Sequence, residues 1–418
     1  MTWYRSPPLL LRLTLSALFL FGCYNWYSTS IYYAALGSDF LQDYVAGHQL
    51  RHGQTIYGES MSQAARSILG FPGFENFHPP FLALPFALVS FLPYHQAVLL
   101  LNILSLLAYL GIVILLVREL QIPRALLWYL LPPLLFWHPF LEVIALGQTS
   151  LLIALMIVGG WILLRRSYSF WGGACLGAAC MMKLFPGLLL VYLLSSRNWR
   201  ACIGWLLVVI FWGLLTLLCV GPADMLRYVS DIAPRDAQFW SMFPANASLR
   251  GFILPLISSG RWTTPIVDLG TLAPVLVSAF QAIFGLCIVT WMFLGTSCRR
   301  GDDASFAILV VASVLLSPLA WTHNLVLLLL PLMLMLKARL VSSSHSALPL
   351  IVALALFSLP TYELLRNLQA AQLAVKLSPL YFLLTRGGFA GLIIVFFWLY
   401  RSHKASAPLE VRGVTGLS

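Results

Sequence analysis

Two carboxylates, Asp39 and Asp43, follow directly on the first long apolar run of a chain in which only 9% of residues are charged. In Ser38-Asp39-Phe40-Leu41-Gln42-Asp43-Tyr44, the Ser-Asp pair ahead of Phe40 and Tyr44 reads as the start of an amphipathic helix. Two kinds of chemistry are open to Asp39. It caps that helix, its charge favoured by the macrodipole, or it is a general base that takes a proton from a sugar hydroxyl within hydrogen-bond reach. Asp43, one turn later, shares its face and is a candidate for positioning substrate.

Further along, polar residues interrupt apolar sequence at a few defined places. His78-Pro79-Pro80 closes the segment that Asp39 opens, the prolines setting how the chain enters the next apolar run. His78 is either a surface histidine or a substrate contact. Gly147-Gln148-Thr149 opens another apolar run, where Gln148 either satisfies free backbone groups or binds a sugar. Lys183 lies between Ala178-Ala179-Cys180-Met181-Met182 and Leu184-Phe185-Pro186, beside small residues that suit close helix packing. A lysine at membrane depth costs about 2.5–3.5 kcal/mol on insertion scales unless it is paired. It either snorkels to the interface or meets an anion such as a lipid phosphate.

Asn246-Ala247-Ser248-Leu249-Arg250 supplies a guanidinium fork that fits phosphate or a loop carboxylate, and its Asn-x-Ser triplet also has the form of a glycosylation acceptor. Ser317-Pro318-Leu319-Ala320-Trp321-Thr322-His323-Asn324 puts a helix-breaking proline and a polar group into an oily hairpin, with His323 and Asn324 as candidate contacts. No Walker loop, dinucleotide glycine pattern or nucleophile elbow is present, and no residue cluster calls for a metal or another cofactor.

The elements that must position these residues are membrane helices. A hydrophobic fraction of 60% and a mean hydropathy of +0.87 lie far outside the soluble globular range. The expected spans are residues 12–36, 95–117, 125–139, 149–164, 170–182, 184–195, 201–220, 272–298, 304–320, 324–336, 346–360 and 380–400, with the Pro85-broken segment 81–92 partly interfacial. Several fall short of the ~20 residues that cross a bilayer and must pack against neighbours. The fold class expected is an all-α polytopic membrane protein of about twelve transmembrane helices. Residues 1–400 form one membrane domain, and 401–418 a polar tail.

Charge orients this bundle. The loops assigned inside carry Arg5, Arg12, Arg118, Arg124, Arg165, Arg166, Arg197, Arg200, Arg299, Arg300, Lys337, Arg339, Arg401, Lys404 and Arg412. Against them stand only Glu119, Asp302, Asp303 and Glu410, so the net +11 sits on the cytoplasmic side with both termini. The long segments 37–80 and 221–262 then lie outside and hold most of the other acids. With no run of five or six basic residues, nucleic acid is not expected as a partner. The seven cysteines lie in or beside apolar segments and read as small core residues.

Taken in order, these pieces resemble glycosyltransferase family 87, membrane enzymes of the GT-C type that use polyprenyl-phosphate sugars. The matching segments are Asp39-Phe40 with Tyr44 and Tyr57, His78-Pro79-Pro80, Gly147-Gln148, and Gly177 through Lys183 to Pro186. They continue through Arg197-Asn198-Trp199-Arg200, Asn246 to Arg250, and Ser317 to His323. The chain departs from the family's pattern at Asp43-Tyr44, often Tyr-Tyr there, and at Asn324, often a second His. The resemblance implies a GT-C-like bundle in the cell membrane that moves a hexose, typically mannose, from a polyprenyl-phosphate donor to a glycolipid or glycan acceptor. It implies inversion with Asp39 as base; the chemistry of the residues and the charge pattern add Lys183 and Arg250 near the donor phosphate and an extracytoplasmic active site. Asp43, His78, Gln148, His323 and Asn324 would surround sugar or phosphate, with membrane lipids as the other partners. A rival reading from another class is a transporter or flippase of a lipid-linked or amphiphilic solute, which should show pseudo-repeated halves with broken midplane helices. A third is a scaffold subunit with a dead site, against which Asp39 speaks.

Overall fold

The computed structural model describes residues 8–36, 39–70, 75–260, 265–294, 302–342, 346–359 and 379–406. Ser38, Trp262, Cys298, the basic residues Arg5, Arg299, Arg300 and Arg412, and the tail beyond Ser406 lie outside the described residues. The regular elements among the described residues are helices. Five are long and apolar enough to cross a membrane by length and composition: Leu9–Thr29, Tyr94–Glu119, Trp199–Val220, Leu272–Leu294 and Thr322–Val341. The other apolar helices are shorter. Each expected span contains helix, but the count of about twelve crossings is not established by these lengths.

Helix α1 (Leu9–Leu36) leads to α2 (Phe40–Arg51) and α3 (Glu59–Leu69), which occupy the segment expected as the first outer loop. Then come α4 (Pro80–Val89), α5 (Tyr94–Glu119), α6 (Leu127–Leu134), α7 (His138–Leu146), α8 (Ser150–Arg165) and α9 (Ser169–Met182). They are followed by α10 (Leu190–Ser195) and α11 (Trp199–Val220). The segment expected as the second outer loop is also mostly helical: α12 (Pro222–Arg227), a π-helical turn at Tyr228–Ile232, α13 (Ala233–Trp240) and α14 (Leu249–Ile257). Helices α15 (Leu272–Leu294), α16 (Asp303–Leu316), α17 (Leu329–Val341), α18 (Leu348–Phe357) and α19 (Pro379–Ser406) complete the chain.

Small residues let the central helices touch backbone to backbone, as the sequence around Lys183 leads one to expect. A Cβ on Gly173 of α9 would collide with the carbonyl oxygen of Ala201 on α11, and one on Gly177 would lie 2.7 Å from that of Trp205. Gly160 on α8 meets Gly172 on α9 in the same way, at 3.0 Å. In lipid there is little hydrophobic drive between helices, so this close van der Waals contact holds α8, α9 and α11 together. Buried side chains from Phe40 to Leu399 form one continuous apolar cluster. Helix α2 is locked onto α4 because Gly47 meets the Phe86 carbonyl, while Tyr44 Oη donates to Leu92 O at 2.8 Å.

The two long inter-helix segments are tied to each other. Asp224 accepts from Thr55 Oγ1 at 2.7 Å and from the Ile56 amide at 2.8 Å. Tyr228 stacks on Tyr57, and Arg235 grips Glu75 through both Nη atoms at 3.1 and 2.7 Å. Asn246, 1% exposed, is spent entirely on structure. Its Nδ2 donates to Ser241 O and Pro318 O, and its Oδ1 accepts from the Ser248 and Ala320 amides. The Asn-x-Ser triplet is therefore a buried clasp onto residues 318–320, not an accessible acceptor. At the other end of the bundle, Arg165 bridges Glu119 and Asp303.

Candidate active site

Helix α2 starts at Phe40 with Asp39 in the N-cap position, yet the Asp39 side chain makes no capping hydrogen bond. Its backbone is already helical there, at φ −56° and ψ −26°, which turns the carboxylate away from the free N–H groups of the first turn. Instead Oδ2 accepts from Gln148 Nε2 at 3.0 Å. Oδ1 makes no hydrogen bond among the described residues and is free to take a proton.

Gln148 is positioned by a chain reversal. Gly147 ends α7 in the left-handed region, at φ 64°, and the Gln148 amide turns back to Val143 O at 2.9 Å. The Gln148 side chain, 3% exposed, then points inward from the gap before α8. Its Oε1 accepts from Lys183 Nζ at 3.1 Å, which fixes the amide orientation because Oε1 must face the ammonium and Nε2 the carboxylate. Lys183 comes from the break after α9, where an extended residue and Pro186 end the helix. Its ammonium also donates to Asn324 Oδ1 at 3.1 Å and shares its third N–H between Ser150 Oγ and His323 Nε2, each at 3.4 Å. The side chain turns into the protein rather than snorkelling.

His323 and Asn324 enter on a 3-10 turn, Thr322–Leu328, that follows Pro318 and joins α17. Because the ammonium donates to Nε2, the His323 ring proton is assigned to Nδ1, which faces Glu142 Oε2 across 3.8 Å. His78 Nδ1 meets Asp43 Oδ1 at 2.6 Å, and the His78 backbone is pinned by Tyr57 Oη and Asn76 Oδ1. Asp43, one turn after Asp39 and close enough to act on its charge, is thus the partner of His78. Burial alone would lower the His78 pKa, but the charge and hydrogen bond of Asp43 offset it and hold the value above the ordinary one. Burial raises the Asp39 carboxyl above the usual range, while His78, the Gln148 hydrogen bond and Lys183 pull it down and Asp43 pushes it up.

Seven of the eight residues expected at the site fall into this group: Asp39, Asp43, His78, Gln148, Lys183, His323 and Asn324. They come from five separate stretches of chain. Arg250 is not in the hydrogen-bonded group, and the cleft it borders is lined by none of Asp39, Gln148 and His323, with which it was expected to share one cavity. Its Nε donates to Ser241 Oγ and its Nη1 to Ser278 Oγ, both at 2.9 Å, because α14 turns it toward α15.

Two acids were missed by the reading of the sequence. Glu142 is the only carboxylate between Glu119 and Asp224, an intramembrane-type acid in an apolar run, and that isolation was a signal. Asp236 on α13 sits among other loop acids and gave none. Burial, opposed by His78 and reinforced by Asp39, lifts the Asp236 carboxyl to about 7, so it lies within electrostatic reach of the same pair of groups. A folded-state pKa above the unfolded one means that protonation favours the folded form. Its contribution is full below the unfolded value and fades as pH rises through about 7. His78, also raised, acts in the same direction. The melting temperature of the purified protein should therefore fall between pH 5 and pH 8, and Asp236→Asn should flatten that fall. A variant with the wild-type slope would exclude this carboxyl as its source.

The model of glycosyltransferase family 87 matches residues 76–322. The chain belongs to glycosyltransferase family 87. The matched residues include His78, Gln148, Lys183, Asp236 and Arg250, while Asp39 and Asp43 precede them and His323 and Asn324 follow directly. Among curated proteins, the chain is similar to the polyprenol-phosphate-mannose-dependent alpha-(1-2)-phosphatidylinositol pentamannoside mannosyltransferase of Mycobacterium tuberculosis. That likeness is 27% identity over 318 residues, 72% of this chain and 67% of the relative. The protein of the same description from Mycolicibacterium smegmatis is 28% identical over 267 residues, 61% of this chain and 59% of the relative. No solved structure matches the chain. This member of the family is a membrane glycosyltransferase, helical in the regular elements of its described residues, and its buried polar group is the candidate active site.

Proposed function

We propose that the chain transfers mannose from a polyprenyl-phosphate donor to a hydroxyl of a glycolipid or glycan, with inversion and with Asp39 as the base. One observation carries this reading: the Asp39 carboxylate leaves its own helix uncapped and is held by Gln148, at the head of hydrogen bonds that end on Lys183. The names of the relatives support the donor class and an acceptor of the phosphatidylinositol mannoside kind.

In the reaction, the acceptor oxygen attacks the anomeric carbon while its proton passes to Asp39. The bond from that carbon to the phosphate oxygen breaks, and its electron pair leaves on the polyprenyl phosphate. Burial makes Asp39 a stronger base than an exposed carboxylate. Lys183, close by, offsets the charge that develops on the departing phosphate. The Asp43–His78 pair and the His323–Asn324 corner would hold the sugar hydroxyls. The positive-inside pattern supports an arrangement with both termini cytoplasmic and this centre on the outer face of the cell membrane. Residues 1–400 would act as one membrane domain.

The test is transfer of radiolabelled mannose by the purified protein, reconstituted with polyprenyl-phosphate mannose and a phosphatidylinositol mannoside mixture. The expected result is a labelled glycolipid whose new linkage has the anomeric configuration opposite to that of the donor. Transfer from a nucleotide-linked mannose, or a retained configuration, would overturn the proposal.

A further inference from the structure

Arg250 has an unusual environment for a guanidinium. It is half-buried at the start of α14, and among the described residues its hydrogen-bond partners are the hydroxyls of Ser241 and Ser278. No carboxylate pairs with it among the described residues. A guanidinium keeps its charge and has five N–H donors, so two neutral oxygens leave it short of partners. It borders a cleft of about 560 Å³ with Pro234, Gln238, Ser278, Gln281 and Pro318. Beside the cleft, α15 carries an exposed apolar surface that includes Leu276, Phe280 and Ile283.

Helix α13 separates this cleft from the Asp39 centre. Pro234, Ala237 and Gln238 line the cleft, and Ser241 just beyond the helix receives Arg250. Asp236 and Trp240, a turn apart, do not line the cleft: Asp236 lies within electrostatic reach of His78 and Asp39, and Trp240 packs onto Trp321, next to Thr322 and His323. The molecule therefore has two cationic positions on opposite sides of one helix. Lys183 belongs to the hydrogen-bonded group of Asp39. A donor phosphate is bonded to the carbon under attack, so it must lie on the Asp39 side, near Lys183. A second lipid phosphate, remote from the transferred sugar, is left for Arg250.

We propose that the Arg250 cleft binds the phosphodiester of the acceptor lipid, with the acyl chains along the apolar face of α15. The assignment rests on the transferase reading given above. The guanidinium fork supplies two parallel donors to non-bridging phosphate oxygens, and α13 lets the glycan reach round to Asp39 while the anchor stays at the membrane edge.

Equilibrium binding to the purified full chain in detergent, followed by tryptophan fluorescence, tests this without any turnover. The probes are phosphatidylinositol, a diacylglycerol without phosphate, and undecaprenyl phosphate. Arg250→Met should weaken phosphatidylinositol binding by about tenfold or more, as loss of charge-assisted hydrogen bonds implies, with Arg250→Lys in between. Its affinities for diacylglycerol and undecaprenyl phosphate should stay within about twofold of wild type. Ala282→Phe, which fills the cleft and keeps Arg250, should show the same selective loss, so the test survives if one variant fails to fold. An Arg250→Met protein that instead loses undecaprenyl phosphate, or that keeps its phosphatidylinositol affinity, would overturn the assignment. Because these are binding measurements, a failure of mannosyl transfer would count against the transferase reading and not against the phosphate site.

Discussion

Asp39→Asn should express, insert and bind the lipid donor about as well as wild type, and transfer almost no mannose. The amide keeps the size of the carboxylate and can still meet Gln148 if one of the two amides turns over. It cannot accept the acceptor's proton. Loss of a general base lowers rates by about 10²–10⁴-fold, whereas loss of a helix cap costs only about 1 kcal/mol of stability. The structure sharpens this contrast, since the Asp39 side chain caps nothing. The stability change should be smaller than for a true capping residue while the rate collapses. Single-turnover transfer together with a melting curve separates the outcomes. A variant with near wild-type turnover and a lowered melting temperature would return Asp39 to a structural role.

Lys183→Met should be the second most damaging change, for a different reason. Gln148 Oε1, Ser150 Oγ, Asn324 Oδ1 and His323 Nε2 all converge on one ammonium. Methionine fills the volume and removes the charge. Losing one preorganised electrostatic contact to a developing charge lowers kcat by about 10²–10³-fold. Each buried acceptor left without its donor also costs about 1–3 kcal/mol, so stability falls too. Lys183→Arg tests charge against shape: it keeps the charge but requires a planar fork where a compact ammonium now meets four atoms. Steady-state kinetics should show Lys183→Met losing kcat with a raised KM for the polyprenyl-phosphate donor and an unchanged KM for the acceptor. A loss confined to melting temperature, with kcat within a few-fold of wild type, would make Lys183 a purely structural cation.

The class of this protein was legible from hydropathy alone. A mean hydropathy of +0.87 with a few polar breaks between long apolar runs leaves little besides membrane helices, because a bilayer requires every backbone group to be satisfied within its own segment. The polar breaks also marked most of the site. A histidine, glutamine or lysine in oily sequence is costly unless partnered, so Gln148, Lys183 and His323 stood out one at a time.

Who partners whom was decided by tertiary structure. Asp39 and Gln148 are 109 residues apart, and Lys183 and Asn324 are 141 apart, so no local rule relates them. Asp43 stands within a turn of Asp39 but pairs with His78, because α2 packs on α4 through Gly47 and brings the end of the first long segment beside it. Asp236 looked like any loop acid until α13 was laid over the first segment by the Arg235–Glu75 pair. Arg250, equally conspicuous in sequence, went to the other side of that helix. Residue type determines what chemistry a side chain can do, and it is visible in one dimension. Which charges meet depends on where the helices cross, and those crossings are set by long-range packing of small residues such as Gly47, Gly173 and Gly177.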